Sequence, residues 1–217
     1  MNTYIFTGLS VSFDDAKKIL DANYLPPVKR GDIDTLLGNH ENIDVIAIID
    51  GVFHQSPAVS HKEILRALKK GITVVGGSSM GALRACELYP YGMIGVGHIF
   101  EDYKNGIIES DDDVAVALNP DTLEQLSESL INIRYNLQEA YDKNIISDEE
   151  LNELLKITKN IYYPKRSFKY IIGKSSLEDN KKEILCKYLQ DNHFDIKTLD
   201  AISVIKYVKE LTDDESD

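Results

Sequence analysis

The chain has 217 residues, 43% of them apolar, which suits one packed domain or one domain with an appendage, and no apolar run nears the ~18 residues of a membrane span. Its 24 basic against 36 acidic residues give a net charge of −12, a field that repels phosphate backbones and anionic lipid, so neither nucleic acid nor a membrane is expected as a partner. Two cysteines, Cys86 and Cys186, make no disulfide framework and no CxxC pair, and read as inert, partly buried thiols.

The opening MNTYIFTGLSVSFDDAKK has no basic stretch ahead of an apolar one, so it does not read as a signal peptide, and the expected location is the cytoplasm. Thr3 to Thr7 is a short β-prone run, and Ser12 caps a helix-like stretch through Leu20. Two prolines in Tyr24-Leu-Pro-Pro-Val-Lys-Arg-Gly predict an extended connection, after which Asp32 caps a short helix to Leu37. Val45 to Ile49 is a continuous apolar run, as in a strand covered on both faces, and Ile72 to Val75 repeats it. Between them a helix runs from about Pro57 to Lys70, with Ile64, Leu65 and Leu68 on its apolar face and Gly71 at its stop. Strand, helix and strand in this order form a βαβ unit with parallel strands.

The second strand leads into Gly76-Gly-Ser-Ser-Met-Gly and then the helical Ala82-Leu-Arg-Ala-Cys-Glu-Leu; Pro90 breaks this helix, and glycine-spaced Tyr91 to Gly97 reads as a loop. From Asn119 onward helical signals dominate. Pro120-Asp-Thr-Leu opens an amphipathic stretch to about Asp142, Ser147 with Glu150 forms a capping box for a helix to Asn160, and further helices fit Glu178 to Gln190 and Leu199 to Leu211. The expected fold is α/β: residues 1–118 make a small parallel-sheet core with a βαβ unit and a strand-turn-helix serine elbow, and residues 119–217 make a helical portion packed on it. The acidic chain end, Asp213 to Asp217, reads as a solvated tail.

Gly77-Ser78-Ser79-Met80-Gly81 fits G-x-S-x-G between an apolar strand and a helix, the setting in which a tight turn projects a serine hydroxyl. Ser79 is the candidate nucleophile, with the amides of Met80 or Gly81 as oxyanion donors. The bland alternative is that Ser78 or Ser79 caps the helix. Neither His98 nor His193, the histidines after Ser79, sits at a convincing strand end. Lys62 is the better base, because it lies in the first turns of the helix after the first strand of the βαβ unit and so falls on the same carboxyl edge as Ser79. Asp50, at the end of that first strand, would hold Lys62 charged if the two paired, and His61 is a weaker rival as base or orienting group. Arg84 and Glu87, three residues apart on a helix, suit an intrahelical pair with an anion-binding or structural role near the site. Ser110 before Asp111, Asp112 and Asp113 reads as an N-cap rather than a metal site, and neither a metal nor another cofactor is expected.

With these residues in hand the chain resembles the TfuA family. The likeness rests on Pro26-Pro27 with Arg30-Gly-Asp, Ile49-Asp-Gly-Val-Phe, Pro57-Ala-Val with His61-Lys-Glu-Ile-Leu, Ser79-Met-Gly-Ala-Leu-Arg-Ala with Glu87-Leu, Tyr91-Gly-Met with Gly95-Val-Gly, and Asp111-Asp-Asp-Val-Ala, and it spans roughly residues 3 to 140. The resemblance implies work beside a YcaO enzyme that turns a backbone amide of a peptide or protein substrate into a thioamide. It implies hydrolysis of the C-terminal thiocarboxylate of a ThiS-like sulfur carrier, releasing sulfide, by a serine and lysine pair that falls on Ser79 and Lys62. Ser60 departs from the family pattern, which has an aromatic residue there. Two other functions compete: a non-catalytic adaptor that grips the YcaO enzyme and its substrate, with Ser79 as a cap, Lys62 paired to Asp50 and Glu109 to Asp113 docking on a partner; and a small-molecule esterase.

Overall fold

The computed structural model describes residues 1–52, 57–119 and 125–214, and the chain divides into two compact units, Met1–Glu109 with Lys197–Asp217, and Ser110–Ile196. Three features read from the sequence lie outside the described residues: Phe53 of the matched block, the helix start at Pro120, and the acidic end from Glu215.

The first unit is α/β. Strands β1 (Thr3–Phe6), β2 (Asn23–Leu25), β3 (Val45–Ile48), β4 (Thr73–Gly77) and β5 (Ile94–Val96) alternate with helices α1 (Phe13–Lys17), α2 (Asp32–Asn39), α3 (His61–Lys69), α4 (Met80–Leu88) and α5 (His98–Lys104). All pairings are parallel, in the order β2-β1-β3-β4-β5, a doubly wound arrangement whose direction of growth reverses between β1 and β3. Every residue of β1 and β3 is buried, as a parallel strand covered on both faces requires.

Two strands stand where the sequence reading has none. Asn23–Leu25 of the extended connection pairs with β1, and Tyr24 Oη donates to the carbonyls of Ala16 and Leu20 (3.0 and 2.8 Å), tying it to α1. Ile94–Val96, read as a loop, pairs with β4. A three-residue strand carries no periodicity of its own and exists because a neighbour's edge offers it partners. Helix bounds shift as well: Gly31 rather than Asp32 is the N-cap of α2, and α3 starts at His61 rather than near Pro57.

The last helix, α10 (Ile196–Asp214), belongs with the sheet, although its sequence reads as part of the helical portion. Its residues Ala201, Val204, Ile205 and Val208, spaced as one helical stripe, pack in one core with Ile5, Val45, Ala47, Ile49 and Val75 of the sheet and Ala16 of α1. The chain thus leaves the sheet after α5, builds the second unit, and returns.

The second unit is helical, with α6 (Leu130–Asp142), α7 (Asp148–Asn160), α8 (Phe168–Lys174) and α9 (Asp179–Asn192) around a core of Ile133, Leu137, Leu154, Ile171, Leu185 and neighbours. The expected capping box forms: Glu150 N donates to Ser147 Oγ (3.3 Å) and Ser147 N to Glu150 Oε2 (2.7 Å). Helix α6 begins at Leu130, with Ser129 as its cap, later than the sequence suggests. Two of the aspartates at the start of this unit are held by internal contacts. Ser110 N donates to Asp113 Oδ2 (3.1 Å), Asp113 is buried, and Asp112 pairs with the buried Arg166, whose Nη1 also donates to the Asp112 carbonyl (2.8 Å). No helix among the described residues is long and apolar enough to cross a membrane.

Candidate active site at the carboxyl edge of the sheet

The parallel register sets Ile48 beside Gly76, so the residues that follow β3 and β4 meet at one edge of the sheet. There Ser78 has φ +67°, a left-handed conformation that costs a non-glycine residue roughly 1–3 kcal/mol unless its surroundings hold it. Its side chain is held: Ser78 Oγ donates to the Lys197 carbonyl (2.8 Å) and lies 3.0 Å from Ser10 Oγ. Being wholly buried, Ser78 offers no hydroxyl to a substrate.

Ser79 is also buried, at 4% exposure, and differs from Ser78 in its hydrogen bonding. It is the N-cap residue of α4 and its carbonyl accepts from Ala82 N (3.1 Å), yet its hydroxyl makes no capping bond and has no hydrogen-bond partner among the described residues. The reason lies in the backbone. Ser12, Ser129, Ser147 and Ser167 cap their helices with ψ between 149° and 171° and each accepts an amide, whereas Ser79 has ψ −114°, which turns its hydroxyl away from the helix. The capping alternative is therefore set aside for both serines.

Helix α4 comes very close to the sheet. A Cβ on Gly81 would stand 1.7 Å from the Ile48 carbonyl oxygen, so only glycine fits. The same approach directs the Gly81 N–H at the Ile49 carbonyl (3.2 Å), which removes Gly81 from the expected oxyanion donors. Met80 N, in the first turn of the helix, is engaged by no described group and keeps that capacity.

Lys62 is exposed in the first turn of α3 and makes no ion pair among the described residues. It does not pair with Asp50. The fully buried Asp50 carboxylate turns instead to the β1–α1 loop, where Oδ2 accepts from the amides of Gly8, Leu9 and Ser10 (3.1, 2.9 and 2.8 Å) and Oδ1 from Ser10 Oγ (2.6 Å). In many doubly wound proteins the amides of such a loop at the reversal point receive a ligand's phosphate; here a side chain occupies them. Among the described residues no cluster of three His, Cys, Asp or Glu side chains gathers to hold a metal.

His61, Arg84 and Glu87 come together. Glu87 Oε2 bonds His61 Nε2 (2.7 Å) and accepts from Arg84 Nη1 (2.6 Å), while Arg84 Nε donates to the Val59 carbonyl (3.1 Å). The intrahelical pair thus extends to the start of α3 and ties the turn that bears Lys62 to α4. Arg84 is an anchor, not a free cation. Two contributors escape the sequence reading. Glu63, buried, accepts from Ser60 N (3.1 Å) and Gly31 N (2.8 Å), fixing the other side of the α3 start; the Ser60-x-x-Glu63 spacing is a capping-box signature that could have revealed it, and it gives the departing Ser60 a structural task. Ser10 has no local signal, since its partners lie 40 and 68 residues away. Elsewhere, burial raises the pKa of the half-buried Cys86 thiol, in keeping with an unreactive cysteine.

A family model described as TfuA-like protein matches residues 50–167, more than half of the chain, and the chain belongs to that family. No curated protein matches it. The matched span opens on Asp50 and includes Lys62 and Ser79.

Proposed function

We propose that this TfuA-like protein hydrolyses the C-terminal thiocarboxylate of a ThiS-like carrier and thereby supplies sulfide to a YcaO enzyme that thioamidates a peptide or protein. The observation that carries the reading is the Ser79 hydroxyl, engaged by no described group, at the start of α4, the helix to whose Arg84 and Glu87 the α3 start that bears Lys62 is anchored. Four helix-starting serines accept an amide of their own first turn and Ser60 donates its hydroxyl to Glu63 (2.9 Å), whereas the Ser79 hydroxyl does neither.

In the proposed reaction Ser79 Oγ attacks the thiocarboxylate carbon while Lys62 Nζ takes its proton, and the Met80 N–H supports the oxyanion. Lys62 passes that proton to the departing sulfur as the C–S bond breaks, hydrosulfide leaves, and an acyl-serine remains. Water then adds to the ester, the C–O bond to Ser79 breaks, and the carrier departs with an ordinary carboxylate; the net change is thiocarboxylate plus water to carboxylate, hydrosulfide and one proton.

The adaptor alternative loses one support, since Asp50 is not the partner of Lys62, and a second is narrowed, since Asp113 is buried and Asp112 pairs with Arg166. The test is sulfide release from a thiocarboxylated ThiS-like carrier, followed by the mass of its C-terminus. Wild type is expected to release it and Ser79→Ala and Lys62→Ala to fail while folded. Equal behaviour of all three proteins would leave the adaptor as the better account, and cleavage of simple activated esters without a carrier would favour the esterase.

A further inference from the structure

The Asp50 carboxylate, three amides, Ser10, Ser78 and the Lys197 carbonyl form one buried chain of hydrogen bonds that ends beside Ser79. Its direction is set by charge. Asp50 can only accept, so the Ser10 proton lies on Oδ1, and Ser10 Oγ can in turn only accept from Ser78 Oγ. The single Ser78 proton is then shared between Ser10 Oγ and the Lys197 carbonyl, which lie on opposite ends of the sequence. Both bonds grip the residue whose backbone is left-handed, and the backbone of Ser79 follows directly from it.

We infer that Asp50, Ser10 and Ser78 form a positioning relay, in which Asp50 orients Ser10, Ser10 and the Lys197 carbonyl hold Ser78, and Ser78 keeps the left-handed turn that presents Ser79. This rests on the reading of Ser79 as nucleophile. None of the three touches the reacting atoms. Their task is to keep the hydroxyl of the next residue out of the capping position that an ordinary extended serine would take.

The test compares wild type, Ser78→Ala, Ser78→Gly and Asp50→Asn for sulfide release from the thiocarboxylated carrier, with kcat and KM separated, and adds crystal structures of both Ser78 variants. Alanine loses the hydroxyl and still resists the left-handed turn, so kcat is expected to fall about 10²-fold with KM little changed. Glycine adopts that turn without strain and is expected to retain most of kcat. Asp50→Asn, which presents an NH₂ group to Ser10, is expected to fall between them. Wild-type kcat in Ser78→Ala, or equal losses in the alanine and glycine variants, would overturn the relay, and wild-type kcat in Asp50→Asn would remove Asp50 from it. Absence of release by wild type would sink the proposed hydrolysis alone. The relay would then be judged by the crystals: a turn relaxed in alanine and kept in glycine supports it, and one unchanged in alanine refutes it.

Discussion

The helix-starting serines of the helical unit all cap their helices, whereas in the sheet unit Ser12 caps α1 and Ser79 does not cap α4. In the helical unit Ser110, Ser129, Ser147 and Ser167 each accept an amide of their own first turn. In the sheet unit Ser79 stands at the same position of α4 and makes no such bond. The residue type is the same; what differs is how the chain arrives. The capping serines follow loops free to take an extended ψ, whereas Ser79 follows a central strand through a left-handed residue pinned by α10 and by the β1–α1 loop. A hydroxyl is left available where distant parts of the chain prevent its local use.

Replacing one serine from each side gives the widest separation. Ser79→Ala is expected to lower sulfide release by roughly 10³-fold or more with unfolding nearly unchanged, which turnover assays and a thermal melt would show together. If release persisted, the available hydroxyl would have no catalytic meaning. Lys62→Ala is expected to lower turnover by about 10²–10⁴-fold, the range for a lost general base, with carrier binding measured separately by calorimetry.

Asp50→Ala moves the comparison to stability. It orphans three amides and a hydroxyl in a buried loop, and chemical denaturation is expected to show a loss of at least about 3 kcal/mol. Ser147→Ala, in the helical unit, is expected to cost only about 1 kcal/mol and to leave turnover alone. A similar cost for both would mean that the two units use their polar contacts alike.

A smaller effect concerns Asp200 of α10, whose buried carboxylate accepts from the amides of His98 and Ile99 (2.9 and 2.8 Å). Burial pushes its pKa above the ordinary carboxylate range, and the two amides and His98 offset this only in part. An acid with a raised folded-state pKa favours the folded state most at pH below its unfolded pKa, and that contribution is lost as the pH rises through the folded value. Unfolding of wild type against Asp200→Asn across the weakly acidic range is expected to show the wild-type advantage declining as pH increases. An advantage that grew with pH would reverse the sign.

The sheet core was legible where apolar runs are continuous, as in Val45 to Ile49 and Ile72 to Val75, because a parallel strand buried on both faces needs no partner to declare itself. Strands β2 and β5 were not, since each has three residues and takes its identity from the strand beside it. Within the site, the positions of Ser79, Lys62, Arg84 and Glu87 on their elements followed from local pattern. The partners of Asp50 and the availability of the Met80 rather than the Gly81 amide did not, because the first depends on β1 pairing with β3 and the second on how closely α4 approaches β3.

By itself, the sequence determined the α/β class, the strand-turn-helix setting of Gly77 to Gly81 and the likeness to a family, since each is a short-range pattern of residue types. Only the tertiary structure decided that α10 returns to the sheet, that Asp50 holds a loop instead of Lys62, and that Ser79 keeps its hydroxyl, because each of these depends on groups far apart in the chain that meet only when the sheet is assembled.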